Sequence, residues 1–241
     1  MRSAVAEYLK NYNSFELFGL SHLTANLVFI FLLILLPWYS KSRLNVSRQK
    51  YLGNILGLLV FINYPIWLLL EILGGSFDVK LHLPLHLCRV ANLLLPFVMV
   101  RRNEFIFQIL FFWGLSGMFQ AIMTPDIVQD FPHFHYFRFF IAHHLMIVSL
   151  LYVIIIYKME PTLKGLKNSF IGLNLFLLIS FIANILLDAN YFWIMEKPPM
   201  SSILDYLGPW PWYILSAEFV ALAHFSLAYF IFILIKKYLT K

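Results

Sequence analysis

An all-α membrane bundle of seven transmembrane helices is the fold this sequence predicts, on three observations. Of the 241 residues, 61% are hydrophobic and only 12% charged, about half the charge of a soluble domain. Mean hydropathy is +0.77. Seven apolar runs follow one another at 17–38, 52–73, 83–100, 105–123, 139–157, 170–187 and 212–235, each close to the ~20 residues that cross a hydrocarbon core. Short connections and the lack of an internal repeat make residues 1–241 a single membrane domain.

The basic residues orient the bundle. Lys41, Arg43, Arg48 and Lys50 follow the first run, and Arg101 and Arg102 follow the third. Lys158, Lys164 and Lys167 follow the fifth, and Lys236, Lys237 and Lys241 end the chain. These are twelve of the 18 Lys and Arg, all on alternate connections. Asp78, Asp126, Asp130, Asp188, Glu196 and Asp205 occupy the others. The positive-inside rule then places the N-terminus outside and the C-terminus in the cytoplasm, which seven crossings satisfy and six do not. The net charge of +6 belongs to this asymmetry, so no nucleic-acid partner is expected. No cleavable signal peptide is expected, since Glu7 and Glu16 precede the first run and Pro37-Trp38-Tyr39 closes it.

The outer connections 124–138 and 188–211 mix aromatic residues with Pro and Asp. Such loops serve either as an interfacial belt or as a lid over a site reached by lipid.

Residues 81–96, LHLPLHLCRVANLLLP, carry the chemistry. They hold the single cysteine, Cys88, together with His82, His86, Arg89 and Asn92. One cysteine excludes an internal disulfide and any cysteine-cluster zinc site. An ionisable group inside a span costs roughly 2.5–3.5 kcal/mol on insertion scales, so this density points to the floor of a site. With a helix from 83, Cys88 lies about five residues deep, and His143 and His144 lie equally deep in the fifth run. On one continuous helix, His82, His86 and Arg89 share a face and Cys88 and Asn92 share a nearly opposite one. A base for Cys88 must then come from another helix. A Cys–His pair near the headgroups suits acyl transfer through a thioester, whereas a lone buried cysteine more often packs as a small apolar side chain.

Further ionisable groups fall at similar depth: Glu71, Asp188, His22 and Glu218, with His224 deeper. Arg89 needs an acid or carbonyls, and Glu218 and Asp188 are the candidate acids. His82-x3-His86, His133-x-His135 and His143-His144 raise a histidine-metal alternative, but no carboxylate stands beside them in a recognised ligand spacing. Walker and Rossmann patterns are absent. A transporter would show two related halves with broken helices, and none is visible.

Several motifs in order resemble the YwaF-like bacterial integral membrane proteins, related to the eukaryotic transmembrane protein 164 family. They are Phe18-Gly19-Leu20-Ser21-His22, Leu83-Pro84-Leu85-His86-Leu87-Cys88 and Phe139-Phe140-Ile141-Ala142-His143. Asn190-Tyr191, Lys197-Pro198 and the run from Asp205 through Pro209-Trp210-Pro211-Trp212-Tyr213 complete the set. The resemblance implies a seven-helix acyltransferase that moves fatty acyl chains between phospholipids without coenzyme A. It puts the reactive cysteine on Cys88 and the histidine on His143, with His144 as its rival. His86, Arg89, Asn92, His22, Asp188 and Glu218 are supporting candidates. The expected partners are a phospholipid acyl donor and a lipid acceptor in the cell membrane, with no cofactor and no metal.

A reporter fused after Lys241 should read cytoplasmic, and reporters at Asp130 and Pro199 should read extracytoplasmic. A cytoplasmic signal at Asp130 would overturn the seven-helix orientation.

Overall fold

The computed structural model describes residues 2–200 and 202–239. Among them the regular structure is helical: α1 (Arg2–Lys10), α2 (Leu20–Arg43), α3 (Val46–Gly74), α4 (Leu87–Met99), α5 (Glu104–Trp113), α6 (Phe119–Met123), α7 (Phe134–Tyr152), α8 (Leu163–Leu187) and α9 (Trp212–Leu239). A π-turn, Gly114–Met118, joins α5 and α6 into one helix, and a second, Val153–Tyr157, extends α7. Six helices are long and apolar enough to cross a membrane. The helices outrun their apolar windows because polar caps continue them. Asn45, Asn103 and Thr162 each accept a hydrogen bond from a first-turn amide at 2.9 Å.

One helix was not anticipated, and two expectations need correction. The short helix α1 lies before the first apolar run and packs near the end of α3, where Leu9 and Val5 close over Gly74. The fifth span begins at Phe134, five residues earlier than its apolar run, so Arg138 stands inside α7 and not in a loop. The third helix begins at Leu87, not at 83, and has 13 residues. It is about 20 Å long at 1.5 Å per residue, too short to cross a ~30 Å hydrocarbon core unaided. Pro84 is the local reason, because proline pushes the residue before it out of the α region. The face expected to join His82, His86 and Arg89 therefore does not exist.

The tertiary ties bring the basic connections to one end. Tyr152 meets Ser40 at 2.7 Å and donates to the Gln49 carbonyl at 2.8 Å. Arg102 lies over the Tyr157 ring at 3.4 Å, and Lys236 pairs with Glu160. Lys241 lies outside the described residues. α7 is the central post, with 67% of its apolar window buried, whereas α9 stands at the periphery with 6%. One large cluster fills the middle, including Val60 of α3, Leu95 of α4, Phe107, Phe111 and Phe112 of α5, Met146 and Leu150 of α7 and Phe225 of α9.

α3 and α4 approach closely at Gly57, where an added Cβ would stand 2.7 Å from the Met99 Cβ. Small residues permit such approaches between membrane helices. Gly57→Ala should lower the thermal midpoint in detergent by an amount matching about 1–3 kcal/mol of overpacking. An unchanged midpoint would contradict this close approach.

Candidate active site at the start of α4

The segment between α3 and α4 is irregular, yet side chains from three other elements and from α4 itself satisfy its carbonyls. The Tyr64 hydroxyl donates to His82 at 2.8 Å, and Arg89 donates to Leu81 and, at 2.9 Å, to Leu83. Ser180 donates to Leu85 at 3.4 Å. The Tyr191 hydroxyl accepts the Leu83 amide at 2.9 Å and donates to the Val79 carbonyl. Tyr191 is fully buried and is clamped at its own backbone by Asn184, at 2.7 and 2.9 Å. Carbonyls thus take Arg89, and neither candidate acid does. Asp188 caps α8 and pairs with Lys80 at 2.7 Å, an exposed contact that lowers its pKa. Glu218 accepts from Asn174 at 2.8 Å in the α8–α9 seam.

This arrangement leaves α4 starting inside the protein. His86 is its extended N-cap residue, so Cys88 is the second residue of the helix. The amides of Leu87 and Cys88 have no carbonyl partner, as expected in a first turn. The Arg89 amide donates to the His86 carbonyl at 3.0 Å. A helix N-terminus favours negative charge, which here means a thiolate or an oxyanion. Cys88 is partly exposed and packs against the central cluster. Asn92, one turn inward on the same face, is 5% exposed and its amide oxygen is unpartnered.

Two arginines flank the thiol. Arg89 and Arg138 both lie against the ring of Trp67, at 4.5 and 4.2 Å, so their guanidinium carbons are at most about 9 Å apart. At an effective dielectric of 20 such a pair repels by about 2 kcal/mol. Among the described residues no carboxylate forms an ion pair with either, and the Arg138 Nε is buried without a partner. Glu71 is engaged elsewhere, accepting from Trp67 at 2.8 Å and from Ser76, with His135 at 3.3 Å. Asp126, on the loop before α7, is raised above the usual carboxylate range by its desolvation, against the pull of Arg138 and Arg89.

The histidines part company. His22 is fully buried and accepts from the Phe18 amide at 3.1 Å through Nδ1 while Nε2 meets the Ile122 carbonyl at 3.0 Å, so both nitrogens are used structurally. His82 turns to Glu71 at 3.8 Å, and His86 sets its ring against Tyr191 and Trp193. His144 faces α2, stacked on Phe29 at 4.5 Å and 3.2 Å from the Asn26 oxygen. His143 takes the other side of α7, where Nδ1 meets the Phe139 carbonyl at 2.7 Å. A carbonyl only accepts, so Nδ1 carries the proton and Nε2 keeps its lone pair. No hydrogen bond joins Cys88 to either histidine. His143 lies five residues beyond Arg138 on α7, roughly 7–8 Å along the helix axis. Among the described residues no group of three or more His, Cys, Asp or Glu is arranged to hold a metal ion.

A profile of the TMEM164 family matches residues 17–229, from the start of α2 into α9. The chain belongs to the TMEM164 family. This TMEM164-family protein is a multi-pass membrane protein. It is 25% identical over 167 residues to an uncharacterized protein of Treponema pallidum (strain Nichols), covering 69% of this chain and 68% of that one. No solved structure matches it.

Arg138, Trp67 and Asp126 were missing from the sequence-derived site of this TMEM164-family protein. The signal for Arg138 was a lone arginine inside an aromatic run, FHYFRFF, on the side otherwise poor in cations. Trp67 carried none, since an indole in a span reads as core.

Tyr191→Phe removes one hydroxyl that serves two backbone groups. It should destabilise the protein by about 1–3 kcal/mol, the range for a buried group left unpaired, and speed amide exchange across 79–86. Unchanged exchange there would refute the clamp.

Proposed function

We propose that this protein crosses the membrane seven times, N-terminus outside, and transfers or hydrolyses phospholipid acyl chains through Cys88. α4 together with the irregular segment before it makes the seventh crossing. Non-helical backbone at membrane depth is tolerated where protein buries it, and Tyr191, Arg89, Tyr64 and Ser180 meet that requirement. The observation that carries the reading is the place of Cys88, at the N-terminus of a helix that begins inside the bundle.

The thiolate attacks the carbonyl carbon of an acyl ester; the C–S bond forms, the ester C–O bond breaks, and the departing lysolipid alkoxide takes up a proton. An incoming hydroxyl then attacks the thioester, forming a new ester and restoring the thiol. Water as acceptor gives hydrolysis. Charge on the carbonyl oxygen is met by the free amides of the first turn of α4 and by Asn92. His143 is the base favoured over His144, because its Nε2 has no partner whereas His144 is committed to Asn26 and Phe29. No hydrogen bond joins His143 to the thiol, so proton transfer runs through water or the acceptor hydroxyl. Against the histidine-metal alternative, His82 and His86 point to different elements.

Purified protein incubated with phosphatidylcholine should carry an acyl adduct on Cys88, detected by intact mass. Cys88→Ala should abolish adduct and turnover while the protein stays folded, and Cys88→Ser should keep at most a trace. His143→Ala should slow both steps roughly 10²–10⁴-fold, the range for a general base. Wild-type turnover by Cys88→Ala would overturn the reading, and chelator-sensitive turnover in that variant would establish the metal alternative.

A further inference from the structure

Arg89 and Arg138 share one indole, repel each other and, among the described residues, form no ion pair with a carboxylate, although Arg138 Nε is buried. Buried donors are almost always satisfied, and in a bilayer an unmet one is especially costly. Two cations at one indole and the unpaired amides of the first turn of α4 lie together. What satisfies them is an anion with several acceptor oxygens.

Resting on the acyl-transfer reading for the identity of the neighbouring nucleophile, we propose that Arg138 and Arg89 bind the phosphodiester of a glycerophospholipid donor and so set its glycerol esters against Cys88. A guanidinium matches phosphate oxygens in a bidentate fork, and the stacked indole fixes its plane. Arg89 spends one nitrogen on the Leu81 and Leu83 carbonyls, which holds it at the first turn of α4. The phosphate is joined to the esters by a short glycerol bridge, and Cys88 neighbours Arg89 in the chain. A phosphate seated on the arginines therefore delivers an ester, and not a headgroup or a chain terminus, to the sulfur. Neutral lipids lack this anchor and are poor donors.

The test uses the full chain in detergent, with phosphatidylcholine and the diacylglycerol bearing the same chains as probes. Lipid retention is read by native mass spectrometry and Cys88 acylation by intact mass. Arg138→Gln should lower phosphatidylcholine retention about tenfold or more, the loss expected for a charge-assisted pair, and leave diacylglycerol retention unchanged. Arg138→Lys should recover part of it. In the wild type, phosphatidylcholine but not diacylglycerol should protect Arg138 from phenylglyoxal, a readout independent of how the variants fold. Millimolar inorganic phosphate should leave the phospholipid bound; displacement by phosphate alone would overturn the headgroup assignment in favour of a free-anion site. Equal phosphatidylcholine retention by wild type and Arg138→Gln, or no protection of Arg138, overturns the proposal whatever Cys88 does. Retention through Arg138 without any Cys88 adduct sustains the proposal and sinks the acyl-transfer reading instead.

Discussion

The backbone of residues 79–86 must be satisfied without a helix, and much of the rest follows from how that is done. A helix meets its own polar groups; an irregular stretch beside a bilayer cannot. Here the Tyr191 hydroxyl serves both Val79 and Leu83, Arg89 serves Leu81 and Leu83, and Tyr64 and Ser180 serve His82 and Leu85. The donors come from α3, α4, α8 and the loop after α8. The segment is therefore locked by the whole of that end of the bundle. Asn184 extends the lock by holding both the N–H and the carbonyl of Tyr191.

That lock is what lets α4 begin deep in the protein, with Cys88 in its first turn. A thiol at mid-helix would face only satisfied carbonyls and apolar neighbours, and would behave as a small core residue. In a first turn it meets unpaired amides and the positive end of the helix dipole. Arg89 has a double role in this geometry, since it closes the backbone behind Cys88 and lends a positive charge in front of it. Arg138 arrives from α7 on the other side of the same indole.

The remaining polar residues at that end of the bundle mostly build the scaffold. Glu71 gathers Trp67, Ser76 and His135, tying the end of α3 to the start of α7. His22 bridges the start of α2 to the end of α6. The Tyr8 hydroxyl of α1 accepts from the Phe134 amide at 2.8 Å, and its ring stacks on His133, closing that end. α7 is central to all of these, whereas α9, almost unburied, leaves its seam with α8 open along Leu173, Phe192 and Ala221.

Composition, hydropathy and the alternation of charged connections determined the membrane class, the helical content and nearly every span, because these depend on local residue content against a solvent of known thickness. They also singled out Cys88 and the polar density around it, since a cysteine, two histidines and an arginine in one apolar run violate that local rule. What only the tertiary structure decided is where the third helix starts. Pro84 hinted at a break, but the start at Leu87 depends on hydroxyl and guanidinium donors up to 112 residues away in the chain. Arg138 is the same lesson from the other side. Its place beside Trp67 depends on how α7 packs across α3, and no pattern within either helix encodes that contact.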